Sequence, residues 1–344
     1  MSKDNENVPS GLFFPDGPAA EAIPRFTPDQ MVICESCLRA NPPTRLQCLY
    51  CGNQLPVNNA AIDLQKPDLR PLENWEQGYN NILTSLAATN VSDDALASAA
   101  DLLKLEREVF ARLLAANHAV PVARTGTRDE ATLIQRRLSP LGIDTDIVAD
   151  VNLAVEGGPY RVRAAELNDG GVKLYERRGA TPLKLSWKEI QLLVAGRLTG
   201  QRVESREENA RGRENRILEA NEFFTDETIV DFYTSDPKPF RILSKSFDFS
   251  CLGSNKGLLA EANMSRLLEV FRENARDAAW DDSYNALRGA LEPVWPLQRN
   301  EQSAGWRRDR PGKLTKGNVT EISNEGQFQK YSSLCYWLRT RANS

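Results

Sequence analysis

Four cysteines carry the clearest chemistry in this chain. Cys34 and Cys37 form one C-x2-C pair, Cys48 and Cys51 form a second, and ten residues separate the pairs. Two residues between thiols allow a tight turn to aim both sulfurs at one point. Two such turns face to face give a tetrahedron of thiolates, the geometry of structural Zn²⁺. The energetics agree. Ordering a backbone costs about 1–2 kcal/mol per residue, and this stretch has only Val32, Ile33, Leu38, Leu46, Leu49, Tyr50 and Leu55 to offset it. A structural zinc contributes roughly 10–16 kcal/mol in small sites. Rubredoxin-type iron uses the same four thiolates and stays open as the alternative. A redox C-x-x-C asks for a following helix, which Pro42 and Pro43 oppose, and four thiolates leave catalytic zinc no open position.

Little else in the chain names a reaction. There is one histidine, His118, placed at the expected end of a helix, where it suits the helix C-terminus better than catalysis, and no multi-histidine metal centre is available. Phosphate-loop, dinucleotide, zinc-protease and nucleophile-elbow motifs are missing. Cys251 and Cys335 are left as free thiols. The acid pair Asp281–Asp282 suits capping of the next helix better than acid–base work, and Glu207–Glu208 lie in a charged run. No catalytic residue and no organic cofactor is expected; Zn²⁺ on Cys34, Cys37, Cys48 and Cys51 is.

A net charge of −4 over 344 residues gives no overall pull toward nucleic acid or anionic lipid. No apolar run approaches the ~18 residues a bilayer span needs. The N-terminal MSKDNENVPSG lacks the basic and apolar blocks of a signal peptide, and the cysteine usage fits a reducing cytoplasm.

Several kinds of element must position these residues, giving an α+β multidomain chain. Residues 1–29 have no period and are expected as a disordered tail. The metal-binding module follows at 30–57, then a linker and helical hairpin at 58–117. Its first helix is expected from Trp75, Tyr79, Ile82, Leu83 and Leu86, and its second from Ser92 through Leu96, Ala100, Leu103, Phe110 and Leu114. A β-α-β unit spans 118–155, with Thr127 and Glu130 as a capping box and Gly142 as the helix C-cap. Residues 156–276 alternate as antiparallel strands, with Asn168–Gly171 as a hairpin turn. They close with a helix carrying Met264, Leu267, Leu268 and Phe271. The mixed-charge run 199–216 reads as a solvated loop. A short helix is expected around Tyr284, Leu287 and Leu291, and the rest of 277–344 as an irregular, basic segment. From 297 onward nine basic residues stand against four acidic ones, interleaved with Trp306, Phe328, Tyr331, Tyr336 and Trp337. Such a mixture either tracks nucleic acid or docks its aromatics on the body.

The cysteines together with Asn41, Pro42, Gly52, Leu55 and Pro56 resemble the short zinc-ribbon domains found at the N-termini of bacterial proteins. The spacing is also similar to the Ran-binding-protein-2-type zinc finger, some members of which bind single-stranded RNA. Val32 stands where that family has Trp, Pro42 and Pro43 where it has an aromatic, and only Arg45 remains of its basic pair. The β-α-β unit, with Glu130–Ala131 and Leu141–Gly142–Ile143, resembles small ferredoxin-like signal-transducing domains, implying a regulatory or ligand-sensing role. The strand-rich region is similar in element order to a pleckstrin-homology half barrel. The expected function is therefore that of a zinc-binding cytoplasmic interaction or regulatory protein whose larger domains bind a protein or small ligand. Nucleic-acid binding through ribbon and basic segment is the first alternative, and a carboxylate-based enzyme the second.

Overall fold

The computed structural model describes residues 26–55, 65, 67, 69–73, 76–84, 91–177, 179–208, 216–310 and 313–342. The expected tail at 1–29 and the linker that opens 58–117 fall largely outside these, as do Trp75 and Leu86. The chain divides into two units, one up to Gln65 and one from Lys66 onward. It is a mixed α+β protein with several sheets, and no helix among the described residues is long and apolar enough to cross a membrane.

Unit 1 contains two two-residue strands, β1 (Val32–Ile33) and β2 (Ala40–Asn41), paired antiparallel with Val32 opposite Asn41. Its buried apolar cluster consists of Cys34, Cys48 and Leu55, with Val32 and Cys37 against it.

Unit 2 begins with β3 (Tyr79–Leu83), then helices α1 (Asp93–Leu103) and α2 (Arg107–Ala115), β4 (Pro121–Thr125), α3 (Arg128–Leu138) and β5 (Thr145–Ala149). β3 lies between β4 and β5, antiparallel to both. The helix expected over Tyr79, Ile82 and Leu83 is thus a central strand. Its residues are buried almost without alternation, so the spacing mimics a helix. The helical pair is instead α1 and α2. Ser92 caps α1 by accepting from the Ala95 amide at 3.2 Å, and Lys104 ends it at φ 53. The capping box forms as expected: Thr127 Oγ1 accepts from Glu130 N while Glu130 accepts from Thr127 N. Gly142 takes φ 77 at the turn.

The middle of unit 2 holds β6 (Tyr160–Val162), β7 (Ala164–Asn168), β8 (Gly171–Tyr175), β9 (Leu183–Ser186), β10 (Leu192–Glu208), β11 (Arg216–Tyr233), β12 (Phe240–Leu243) and α4 (Ala260–Asn274). It ends with β13 (Ala279–Asp281), α5 (Tyr284–Leu291), β14 (Gln298–Arg310), β15 (Lys313–Ser323) and α6 (Glu325–Ala342). β7, β8 and β9 make one sheet. A seven-stranded sheet runs β14-β15-β10-β11-β12-β6, with β13 on β10. Two expectations are corrected here. The strands of 156–276 are not a single antiparallel set, because β6 pairs parallel to β12 and they divide between two sheets. The segment from 277 is not irregular, since β13, β14 and β15 are strands of the large sheet and α6 packs on it.

The large sheet explains how unit 2 holds together. Side chains alternate across a strand. Leu192, Val194, Ile229 and Tyr233 therefore enter one core with β3–β5, α1–α3, α5 and α6, while Leu193, Ala195, Val230 and Phe232 enter a second with β7–β9 and α4. Gly196 sits where Phe328 and Tyr284 press on the strand; an added Cβ would meet both at 2.8 Å. Two polar networks tie helices to this frame. Arg241 grips Asp231 through two 2.7 Å bonds, both side chains buried, and reaches Glu325 on α6 at 3.0 Å. Asp150 accepts from Arg124 Nε at 2.9 Å, from the Gly78 amide and from Asn80, whose Oδ1 accepts from Trp295 Nε1.

Beyond this body the sheet continues as a four-stranded ribbon. The run 199–208, expected as a loop, is the second half of β10, paired on one side with β11 and on the other with β15. β12 covers β11 only at Ile229–Phe232, and no described strand borders its outer edge from 216 to 227. Residues 220–226 are all exposed, Phe223 at 53% and Phe224 at 71%.

Candidate metal centre

The two C-x2-C turns of unit 1 are built alike. In the first, Leu38 N donates to Cys34 O at 2.8 Å and Cys34 N to Arg39 O at 3.0 Å. In the second, Gly52 N donates to Cys48 O at 3.0 Å and Cys48 N to Asn53 O at 2.7 Å. Each turn closes with a left-handed residue just past its second cysteine, Gly52 at φ 74 and Leu38 at φ 58. Glycine adopts that conformation freely, whereas leucine is strained there. The sequence marks the first knuckle only by its cysteines; nothing in Leu38 announces a positive φ.

The turns bring the sulfurs together. Cys34 and Cys51 Sγ lie 3.6 Å apart, Cys37 and Cys48 Sγ 3.5 Å, and all four fall within 4.8 Å of one another. A tetrahedron with metal–sulfur bonds of about 2.3 Å has edges of about 3.8 Å, so the four thiolates fit such a metal. Around them the backbone is already polarised toward negative sulfur. Tyr50 N and Asn41 Nδ2 each approach Cys48 Sγ at 3.4 Å. Asn41, fully buried, also donates to Arg39 O and accepts from Leu49 N at 2.8 Å. It therefore clips the two knuckles together and orients one ligand, a role for which its place in the sequence offers only a family resemblance. Cys34 and Cys48 are buried, Cys37 is half-buried and Cys51 exposed.

The thiols titrate as a group. Burial works against a charged Cys48, but amides of Tyr50 and Cys51 overcome it and bring its pKa down to about 6. Amides of Cys37 and Ser36 lower Cys34 against the opposing cost of burial. At Cys51 the Asn53 amide favours the thiolate, yet burial and the three neighbouring sulfurs push it up to about 12. Four sulfurs at these separations need a cation before all of them can carry charge.

The other residues singled out in the sequence lie in unit 2. His118 Nε2 shares a 2.9 Å hydrogen bond with Ser283 Oγ. Asp281 accepts from the Ser283 amide at the start of α5 and from Tyr331 OH. Its neighbour Asp282 reaches Arg272 at 3.7 Å, so the two carboxylates do not form an acid–base pair. Burial holds the Cys251 thiol up at about 11, and burial together with Asp281 pushes the Cys335 thiol well above its ordinary value. Phe328, Tyr331 and Tyr336 are buried in the body, while the side chains of Trp306, Glu207 and Glu208 fall outside the description. No family model, curated protein or solved structure matches this chain.

Proposed function

We propose that this chain is a zinc-stabilised interaction protein. One Zn²⁺ holds unit 1 through Cys34, Cys37, Cys48 and Cys51, and unit 2 binds a protein partner along the outer edge of β11. The observation that carries the second part is the run 220–226, exposed throughout, with Phe223 and Phe224 side by side and no described strand on its free edge. Adjacent residues of a strand face opposite ways, so a strand added at this edge gains backbone hydrogen bonds and an aromatic on each face. Natural sheets usually blunt such edges. β14, the opposite edge, has two register shifts and a left-handed Gly305; β11 has one register shift, between Ile217 and Glu219, and keeps an unbroken register from there to Tyr233.

The zinc-ribbon resemblance of unit 1 belongs to this proposal, as does a ferredoxin-like origin for β4–α3–β5, which leave room between them for β3 as a split βαβ does. A cytoplasmic location fits six unpaired cysteines, four of them gathered for a metal. Burial of Phe328, Tyr331 and Tyr336 removes most of the aromatics that a nucleic-acid interface in the basic segment requires.

Two measurements test it. Elemental analysis after reducing purification is expected to give one zinc per chain; iron would replace the metal assignment. Pull-downs from native lysate compare the wild type with Phe223→Lys/Phe224→Lys. A partner retained by the wild type, lost by the variant and indifferent to RNase supports the edge, and loss on RNase treatment refutes it.

A further inference from the structure

The exposed run of β11 has a symmetry of its own. From Ala220 to Asp226 its backbone keeps an unbroken register against β10, and Phe223 is the midpoint. In an antiparallel ladder the N–H and C=O of one residue point to the same side, and successive residues alternate. Thr228 fixes which side is which. Its carbonyl accepts from Ser244 N at 2.9 Å and its amide donates to Ser244 Oγ at 3.1 Å, both on the side of β12. Tyr233 O, of the other parity, accepts from Gln191 N at the entry to β10. Ala220, Glu222, Phe224 and Asp226 therefore turn their backbone groups outward, where no described strand meets them.

We infer, building on the edge reading above, that the occupant is the same edge of a second copy, paired antiparallel about a two-fold axis at Phe223. Such an axis stands normal to the sheet and keeps each face on its own side, so it passes through a residue and not between two. At Phe223 it sets Glu222 opposite Phe224 of the second copy and Ala220 opposite Asp226. Each outward pair exchanges two hydrogen bonds, about eight in all, and a typical protein interface has about 10 ± 5. Phe223 meets its own copy in a non-hydrogen-bonded pair, where side chains lie closest. On the other face the two Phe224 rings are diagonal neighbours within reach of one another. Both exposed rings of each copy are thereby covered.

Charge selects this register. Moving the axis to Glu222 sets that carboxylate against itself, and moving it to Phe224 sets Glu222 against Asp226. Like charges directly opposite destabilise a sheet. About Phe223 no acid of the run 220–226 faces another, and Asp226 is already held by Arg197 at 2.8 Å. The ladder stops there. Glu227 is buried and accepts from Lys245 N at 3.0 Å, and the outward groups of Thr228 are taken by Ser244. A two-fold pair uses the same surface on both copies and so closes at two, leaving no aromatic edge open to a third.

Light scattering on full-length protein at about 100 μM, a range that detects micromolar association, is expected to give the mass of two chains. Phe223→Lys/Phe224→Lys, altered only at exposed positions, is expected to give the mass of one. Cysteine pairing reads the register. Asn221 and Thr225 of the second copy stand opposite in a non-hydrogen-bonded pair, with Cα atoms about 4.5 Å apart, which a disulfide can bridge. Each lies about 13 Å along the strand from its own copy, which a disulfide cannot. Asn221→Cys and Thr225→Cys proteins, mildly oxidised in zinc-containing buffer beside the wild type, should therefore cross-link when mixed and not singly. A single-chain mass for the wild type, a dimer that survives the lysine pair, or no gain in cross-linking on mixing would each overturn the inference. The lysate pull-down tells this failure from that of the wider reading. A wild type of single-chain mass whose edge still holds another protein refutes self-pairing alone, and one that holds nothing refutes both.

Discussion

The two units solve the problem of stability in opposite ways. Unit 1 has a buried apolar cluster of three residues, two of which are cysteines of the candidate metal site. Unit 2 buries two extended cores on the two faces of one sheet, and four of its long strands run on past them into solvent. In unit 1 the order of the chain depends on a few sulfur atoms; in unit 2 it is spread over dozens of side chains. Short chains that cannot bury enough apolar surface depend on metals in this way. Damage to either unit should therefore look different in kind.

The largest effect is expected from Cys48→Ser or from a strong chelator. Unit 1 should lose its fold outright, because what remains is too small to offset the ordering of its backbone. The melting transition of unit 2, whose cores are its own, should stay within about a degree. Differential scanning calorimetry with zinc quantification checks both halves, and a large drop in the main transition would break the contrast between the units.

Next in size comes the Arg241–Asp231 pair. Arg241→Met leaves Asp231 buried and unpaired and leaves Glu325 at the start of α6 to Arg161 alone, so a loss of about 3–5 kcal/mol is expected. The double variant Arg241→Met/Asp231→Leu should recover a good part of it, because two apolar side chains need no partner. Urea unfolding of the three proteins measures this, and zinc content should not change in any of them.

How far these regions were legible in the sequence follows the same division. The cysteine cluster was readable because its spacing is local: two residues within each pair bring thiols together wherever the pair occurs. Caps were readable for the same reason, as Ser92, Thr127 and Gly142 act within four residues. β3 was not, since a central strand buried on both faces gives no alternation, and Tyr79, Ile82 and Leu83 happen to fit a helix. The outer halves of β10 and β11 failed for the opposite reason. Exposed residues supply no hydrophobic period, and their order comes from pairing partners such as β15, more than a hundred residues away. α6 hid because it buries polar Gln327, Ser332 and Ser333 beside its aromatics, which blurs any apolar stripe.

Acid should separate the units again through Asp150. Burial opposes its charge, but Arg124 and Asn80 outweigh that and lower its pKa below the ordinary value. A lowered carboxylate contributes stability above its unfolded pKa of about 3.9, and this is lost as pH falls through the folded value. Asp150→Asn should therefore be less stable than the wild type at pH 7, with the gap closing below about pH 4. Glu76, held at about 2 by Arg70, is left intact in both proteins and cancels in the comparison. Lys330 and Arg124 are the cations facing the carboxylate, so a gap that stays constant with pH would mean they do not sense its charge.

The smallest effect expected is a gain, at Leu38. Its φ of 58 places a leucine in the left-handed region at the same point of the first knuckle where the second has Gly52. Left-handed backbone costs an ordinary residue about 1–2 kcal/mol, and the side chain recovers little of it, since Leu38 is 76% exposed. Glycine removes that strain but loses more entropy on folding, roughly 0.5–1 kcal/mol. The difference leaves Leu38→Gly ahead by up to about 1.5 kcal/mol. Because folding of unit 1 and metal binding are one event, the gain should appear as zinc held up to about twelvefold more tightly in competition with a chromogenic chelator. Gly52→Leu should shift affinity the other way by a similar factor. If Leu38→Gly weakens zinc binding instead, the exposed leucine has a contact worth more than its strain, and unit 1 would not rest on its sulfurs alone.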